Sequence, residues 1–282
     1  MRESVCCPLC GGDRSVTWAT ENGWAAVKCA ECPSVYVNPR PLRAAILQSA
    51  QTGLHEAENR QLDTTGRYRL GKAKGFKHRL AEVLTPEELA RPSARWLDIG
   101  CGFGELLSAA AELLPPDARV EGIEPSLRKR QSAVRRGLSV SDAGLETLPS
   151  ASFDFVSLIN VFSHLPEPAD FLCQVARLLK PGGLLILLTG NGGDLARDQY
   201  PGPFCLPDHL IFVGEAALIS LLERAGFTVL SLQSLQRFFQ ESVALRLLKN
   251  TARFASRRPL VRANGAFRDL FVKAARNVCA PE

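Results

Sequence analysis

"RWLDIGCGFGELL", residues 95–107, places an acid and three alternating glycines where an apolar run gives way to a helical pattern. Trp96, Leu97 and Ile99 read as the end of a buried strand. Leu106, Leu107, Ala110, Leu113 and Leu114 then recur at helical spacing. Gly100, Gly102 and Gly104 fill the joint, where the backbone must turn tightly and let a ligand approach closely. Glycine-rich turns between a strand and a helix seat nucleotide-like ligands.

The acids around the joint narrow the ligand. A dinucleotide fingerprint reads G-x-G-x-x-G, whereas this turn reads G-x-G-x-G and carries Glu105 at the place of the third glycine. Asp98, two residues before the first glycine, suits a cationic group such as an amino-acid ammonium better than a pyrophosphate. Glu124, in "VEGIEPS" (120–126), ends the next strand, where a carboxylate accepts both ribose hydroxyls. Ribose and an amino acid without phosphate describe S-adenosylmethionine.

Outward from the joint, strands are predicted at 95–99, 119–124, 138–141, 153–159 and 183–189, with helices at about 104–114, 126–136 and 168–180. This alternation implies an α/β protein with a parallel sheet covered on both faces. "KPGG" (180–183) reads as a helix stop before the fifth strand. A helix at 214–225, a sixth strand in "FTVLSL" (227–232) and a seventh in "LFVKAA" (270–275) follow. A sheet ending in a hairpin-like pair departs from the all-parallel dinucleotide fold.

"LDIGCGFG", "VEGIEPS", "GLETLPSASFDFV", "LLKPGG" and "LLERAGF" occur in this order, and the stretch from 95 to 232 resembles the class I S-adenosylmethionine-dependent methyltransferases. The resemblance implies a Rossmann-like seven-stranded sheet. It further implies that Asp98, Gly100, Gly102 and Gly104 hold the methionine portion and Glu124 the ribose. Gly144 and Leu145 flank the adenine in this scheme, with Asp142 nearby, and Asn160 faces the sulfonium. Two departures from the family fall where the acceptor should lie. Ser163-His164 stands where relatives often read Glu-His, and Gly190-Asn191 where they often read Pro-Asn.

Cys7 and Cys10 in "CPLC" and Cys29 and Cys32 in "CAEC" are two C-x-x-C turns at zinc-ribbon separation. Four thiolates complete a tetrahedron and leave no open position, so a structural zinc is expected. Cys6 lacks the two-residue spacing. Cys101, Cys173, Cys205 and Cys279 read as small buried hydrophobes.

The 282 residues are 46% hydrophobic and 22% charged, a globular composition without repeats or low-complexity tracts. The organisation expected is a zinc-ribbon-like module at 1–40, a helical connector or lid at 41–94, the cofactor-binding domain at 95–235, and a basic C-terminal helix with the final strand at 236–282. From Arg237 onward there are ten Lys/Arg against three Asp/Glu, but interspersed leucines and phenylalanines favour a solvated helix face over a nucleic-acid footprint. "MRESVCCPLC" has no apolar signal region and no run approaches a membrane span, so a cytoplasmic location without membrane contact is expected.

If the methyl acceptor is a hydroxyl, a general base helps. His164, after the fourth strand, and His209, in "LPDHLIF", border the expected pocket mouth and are the candidate catalytic residues. His55 and His78 read as solvated surface. The segment 190–213, rich in Gly and Pro, reads as an acceptor lid. The function expected is methyl transfer to the oxygen or carbon of a small biosynthetic molecule. The alternatives are an RNA base methyltransferase that uses the zinc module on RNA, and a non-enzymatic zinc-ribbon scaffold. Only Arg14 and Lys28 are basic between Cys7 and Cys32, which speaks against the first; intact Asp98, glycines and Glu124 speak against the second.

Overall fold

The computed structural model describes residues 2–57, 60–63, 66–200, 202–235 and 266–277. It opens with a small β unit: β1 (Arg2–Glu3), β2 (Ser15–Glu21), β3 (Trp24–Cys29), β4 (Val35–Val37) and β5 (Arg40–Pro41). Asn22-Gly23, both at positive φ, makes the two-residue turn between β2 and β3. That geometry matches the twist of a tight hairpin and selects Asn-Gly. β1 and β5 pair at the edge, so the prolines of "NPRP" tolerate two residues of strand pairing.

The connector is not continuously helical. After α1 (Arg43–Thr52), the hairpin β6 (Leu54–Ala57) and β7 (Arg60–Asp63) interrupts it before α2 (Leu70–Val83) and the short α3 (Pro86–Leu89). Gly53, at φ 72°, caps α1 in the left-handed conformation and ends it. On α2, Ala73, Phe76, Leu80 and Val83 are buried at helical spacing despite Gly71 and Gly75. α3 carries a Thr85–Glu88 capping box behind Pro86.

The main sheet begins at β8 (Arg95–Ile99), followed by α4 (Glu105–Leu113), β9 (Arg119–Ile123), α5 (Leu127–Val134), β10 (Ser139–Ser141), β11 (Phe153–Ile159), α6 (Pro168–Leu178) and β12 (Leu179–Gly190). The chain then passes through β13 (Ile211–Phe212), α7 (Glu215–Arg224), β14 (Phe227–Leu235) and β15 (Asp269–Arg276). Seven strands line up as β10-β9-β8-β11-β12-β15-β14, with β15 antiparallel to both neighbours. The hairpin-like end expected from the sequence is therefore present, with the last strand inserted between the fifth and sixth. α6 stops at Leu178, and "KPGG" lies inside β12 at a register shift opposite Phe153 and Phe155. The basic helix expected from residue 236 and Cys279 lie outside the described residues.

Alternation along the strands divides the core. Trp96, Phe155, Ile186, Leu188 and Phe271 face α2 and α4, while Leu97, Val156, Leu185, Leu187 and Val272 face the side of α6 and α7. Cys7, Trp24, Val35 and Tyr36 belong to the second of these clusters. The N-terminal β unit thus shares a core with the sheet rather than standing apart as a separate module. The register confirms this: β13, from the loop after β12, pairs with β4 and completes a four-stranded sheet in the order β13-β4-β3-β2.

Candidate active site

The glycine turn sits between β8 and α4, with Gly100, Gly102 and Gly104 all at positive φ. A Cβ at Gly100 would meet Val161 at 2.5 Å and one at Gly104 would run into the Leu138 side chain, so packing adds to the conformational preference for glycine there. At Gly102 a Cβ would meet nothing within 4 Å, which leaves an open cradle beside the backbone. Glu105, in place of a third glycine, is buried at the start of α4 and accepts the Arg69 backbone N–H at 3.1 Å, clasping α2 onto the turn.

Two acids converge on this cradle from neighbouring strand ends. Asp98 is 2% exposed and accepts the Ser157 hydroxyl at 2.6 Å; Ser157 in turn accepts Trp96 Nε1–H at 2.9 Å. The relay works because Ser157 lies opposite Asp98 in the β8–β11 register. Burial pushes the Asp98 carboxyl up to about 7, and the nearby Glu124 and Glu105 charges add to it against the Ser157 hydrogen bond and Lys72. A buried acid in that state favours an incoming cation. Glu124, also buried, accepts the backbone N–H groups of Gly102 at 2.8 Å and Ser126 at 2.9 Å, tying the turn to the end of β9. Its carboxylate oxygens retain lone pairs for further donors.

Beyond the strand ends lies a cavity of about 280 Å³. Gly100, Glu124 and Asn160 form its floor, and Asn160 holds a left-handed φ of 56°. Gly144 and Leu145 follow β10, where Leu145 is buried and opens a 3₁₀ turn; Asp142 is paired with Arg130 at 2.7 Å. The opposite wall is built by Trp24 of β3, Pro41 of β5 and Ala45, Ile46, Ser49 and Ala50 of or beside α1. No sequence signal marked these as cavity residues, because none carries diagnostic chemistry.

The lid is held against that wall. Glu21 accepts the backbone N–H groups of Phe204 at 3.2 Å and Leu206 at 2.9 Å, and Asn22 donates to Leu206 O at 2.8 Å. Trp18 packs edge-on to Phe204 with centroids 4.9 Å apart, and Tyr200 packs on Phe204 at 4.7 Å. Arg40 reaches Glu3, Glu167 and Pro166 O. The Gly190-Asn191 pair serves packing instead of the cavity: Gly190 makes room for the Phe267 ring, and Asn191 Oδ1 accepts Arg268 N–H at 2.8 Å.

His164 and His209 are close, with ring centroids 5.0 Å apart, but their settings differ. His164 lines the cavity, and its Nδ1 lies 3.0 Å from Asp208 Oδ1 and 2.9 Å from Asp208 O. Burial opposes its charge, but the Asp208 carboxylate outweighs burial and raises the imidazole above its ordinary value. His209 has its Nδ1 at 3.0 Å from Phe204 O; burial, then the His164 charge, pushes it down to about 4. His55, expected on the solvated surface, is instead buried on β6 with Nε2 at 3.0 Å from Asp208 Oδ1. Burial works against the Asp208 charge, yet hydrogen bonds from His164 and His55 hold the carboxyl well below its ordinary range. Asp208 was given no role in the sequence reading and His55 only a surface one, because neither sits in a motif.

Cys7, Cys10, Cys29 and Cys32 each bring a sulfur within 4.8 Å of the others. Cys7 and Cys32 Sγ are 3.5 Å apart, and Cys10 and Cys29 Sγ 3.6 Å, near the ~3.8 Å edge of a tetrahedron with zinc–sulfur bonds. The backbone N–H groups of Glu31 and Cys32 point at Cys29 Sγ, as in a metal knuckle. Cys6 is exposed and outside the cluster; Cys101 is buried as expected, whereas Cys173 is exposed and Cys205 only half-buried.

A seven-stranded sheet with its sixth and seventh strands exchanged, a glycine turn and acids on adjacent strand ends define the class I S-adenosylmethionine-dependent methyltransferase fold. The family model described as a methyltransferase domain matches residues 66–232, and the chain belongs to that family. It is similar to the tRNA U34 carboxymethyltransferase of Cellvibrio japonicus, with 33% identity over 150 residues, 46% of this chain and 44% of that one. It is also 38% identical over 110 residues to the ubiquinone biosynthesis O-methyltransferase of Xanthomonas oryzae, covering 35% of this chain and 44% of the relative. The chain thus spans less than half the length of these curated relatives. The Haemonchus contortus phosphoethanolamine N-methyltransferase 2, solved with S-adenosylhomocysteine, shares the fold at a TM-score of 0.53 and 17% identity, over 72% of this chain and 52% of its own. Among the described residues, no helix is long and apolar enough to cross a membrane.

Proposed function

We propose that the protein is an S-adenosylmethionine-dependent methyltransferase acting on an oxygen or carbon of a small molecule. The observation that carries this reading is the cavity between the strand ends and the N-terminal β unit, with a histidine–aspartate pair in its wall. When bound, S-adenosylmethionine supplies an electrophilic methyl group. Asp98 would meet the cofactor's ammonium, the open backbone at Gly102 would receive the methionine portion, and Glu124 would take the ribose. Gly100, Gly104, Gly144 and Leu145 would shape the remaining contacts, with Asn160 near the reacting end.

His164 is the acceptor's base. It lines the cavity, and its raised basicity suits it to take a proton as the methyl moves. With a hydroxyl acceptor, its proton would end on His164 as the oxygen takes up the methyl group that bound S-adenosylmethionine would supply. His209, expected as the other candidate, is a much weaker base and packs behind His164. A structural zinc on Cys7, Cys10, Cys29 and Cys32 holds the cavity's outer wall in shape.

The likeness to a tRNA-modifying enzyme favours a second reading, an RNA acceptor. Against it, only two residues between the cysteine pairs are basic: Arg14, which is exposed, and Lys28, which donates to Gly193 O at 3.4 Å. The test is S-adenosylhomocysteine release from purified protein given a panel of hydroxylated and activated-carbon metabolites or, separately, bulk tRNA. Release with a metabolite supports the first reading; release with tRNA alone overturns it.

A further inference from the structure

Three of the chain's four histidines gather around one carboxylate. His55 comes from the β6–β7 hairpin, His164 from the turn after β11, and Asp208 and His209 from the lid ahead of β13. Such convergence from three segments is not dictated by local structure. It surrounds a residue that no motif marks.

The hydrogen-bond partners decide where the protons sit. His164 Nδ1 faces two oxygens, the Asp208 carbonyl at 2.9 Å and the Asp208 carboxylate at 3.0 Å. A carbonyl oxygen only accepts, so Nδ1 carries the hydrogen and Nε2 is left as the basic nitrogen of the neutral ring. His55 donates from Nε2 to the same carboxylate oxygen. That oxygen therefore has a donor on either side, and the Asp208 side chain cannot rotate away without losing both. The titratable groups facing His164 are Asp208 and His209 from the lid, His55 from the hairpin, and Lys129 from α5, whose charge opposes protonation of His164.

We infer that Asp208 is the positioning residue for His164, holding its neutral ring in the Nδ1–H form with Nε2 as the base, and that His55 locks Asp208 from the opposite side. The inference rests on the reading of His164 as the acceptor's base. In the reaction, the acceptor's proton arrives at Nε2 while the Nδ1 proton stays shared with Asp208, so no proton passes to the carboxylate. Asp208 and His55 touch no reacting atom in this scheme.

Imidazole nitrogen NMR on the full-length protein saturated with S-adenosylhomocysteine tests it, since four histidines are few enough to assign. The wild-type protein is expected to show His164 titrating above its ordinary value, with the neutral ring protonated at Nδ1 alone. Asp208→Asn, which leaves the backbone carbonyl in place, is expected to keep the Nδ1–H form and lower the titration midpoint by about one pH unit. His55→Ala should move the His164 midpoint too, and His55→Gln, which keeps a donor, should restore the wild-type value. A neutral wild-type His164 protonated at Nε2 overturns the inference and requires no variant to fold. Unaltered His164 signals in Asp208→Asn overturn it as well, and unaltered signals in His55→Ala overturn the share assigned to His55. Failure of the functional reading looks different: the Nδ1–H form is present, but His164→Ala retains full turnover.

Discussion

The two halves of the site are built in different ways. The cofactor half is assembled from consecutive strand ends between Asp98 and Asn160, each reached by the turn that follows its own strand. The half proposed for the acceptor is assembled from Trp24, α1, His55, His164 and the segment from Pro207 to Leu210, pieces distant in sequence that meet where the N-terminal β unit pairs with β13. One half is local geometry repeated along a parallel sheet. The other is a tertiary product of a small β unit that shares its core with the sheet and carries the cysteine cluster. The cofactor half should therefore survive insults that abolish the acceptor half, and the reverse should also hold.

The largest separation is expected from Cys29→Ser. Loss of one thiolate should abolish binding of the proposed zinc, loosen β2–β4 and the segment paired with them, and abolish turnover. S-adenosylhomocysteine binding, read by calorimetry, should persist; equal loss of both would show that the two halves are one unit. His164→Ala comes next, with kcat lower by ~10²–10⁴-fold and cofactor affinity unchanged. Its pH profile adds a sign. The base must be neutral to act, so wild-type turnover should fall as pH drops through the raised His164 value, and this limb should vanish in the variant. In thermal unfolding, the His164–Asp208 pair should stabilise fully below the ordinary histidine value, with its contribution fading as pH rises through the raised one.

Gly102→Val is the converse probe. The positive φ and the filled cradle should weaken S-adenosylhomocysteine binding by ~10–100-fold, while metal content and the β unit stay intact. Trp24→Ala is milder: the KM for the acceptor should rise about tenfold, the worth of one apolar contact in a pocket, with the cofactor KM unmoved. The smallest effect concerns Asp98. Its carboxyl, lifted to about 7 by burial, must be ionised to meet an ammonium, so cofactor affinity should rise modestly between pH 6 and 8. Calorimetry in buffers of different ionisation enthalpy should detect part of a proton released on binding at neutral pH.

The glycine turn and the acids beside it were legible in the chain because they are tied to positions in sequence. Asp98, the three glycines and Glu124 stand where a strand end and a tight turn must put them, and the 3.6- and 2-residue periods place the elements that carry them. The paired cysteines were legible for the same reason, since two knuckles declare their spacing. The hairpin at Leu54–Ala57 and Arg60–Asp63 was not, because a short polar pairing has no strong period and the surrounding segment reads as helix. His55 was taken for surface on that account, although the hairpin buries it against Asp208.

By itself, then, the sequence determined the sheet, the glycine turn, the acids at the strand ends and the cysteine cluster, each through local backbone geometry or short-range spacing. Only the tertiary structure decided that β13 completes the N-terminal sheet, that Trp24 and α1 wall the cavity, and that His55 and His164 share Asp208. These depend on contacts between residues 44 to 177 positions apart, for which neither periodicity nor spacing carries a signal. Packing and hydrogen-bond satisfaction alone bring them together.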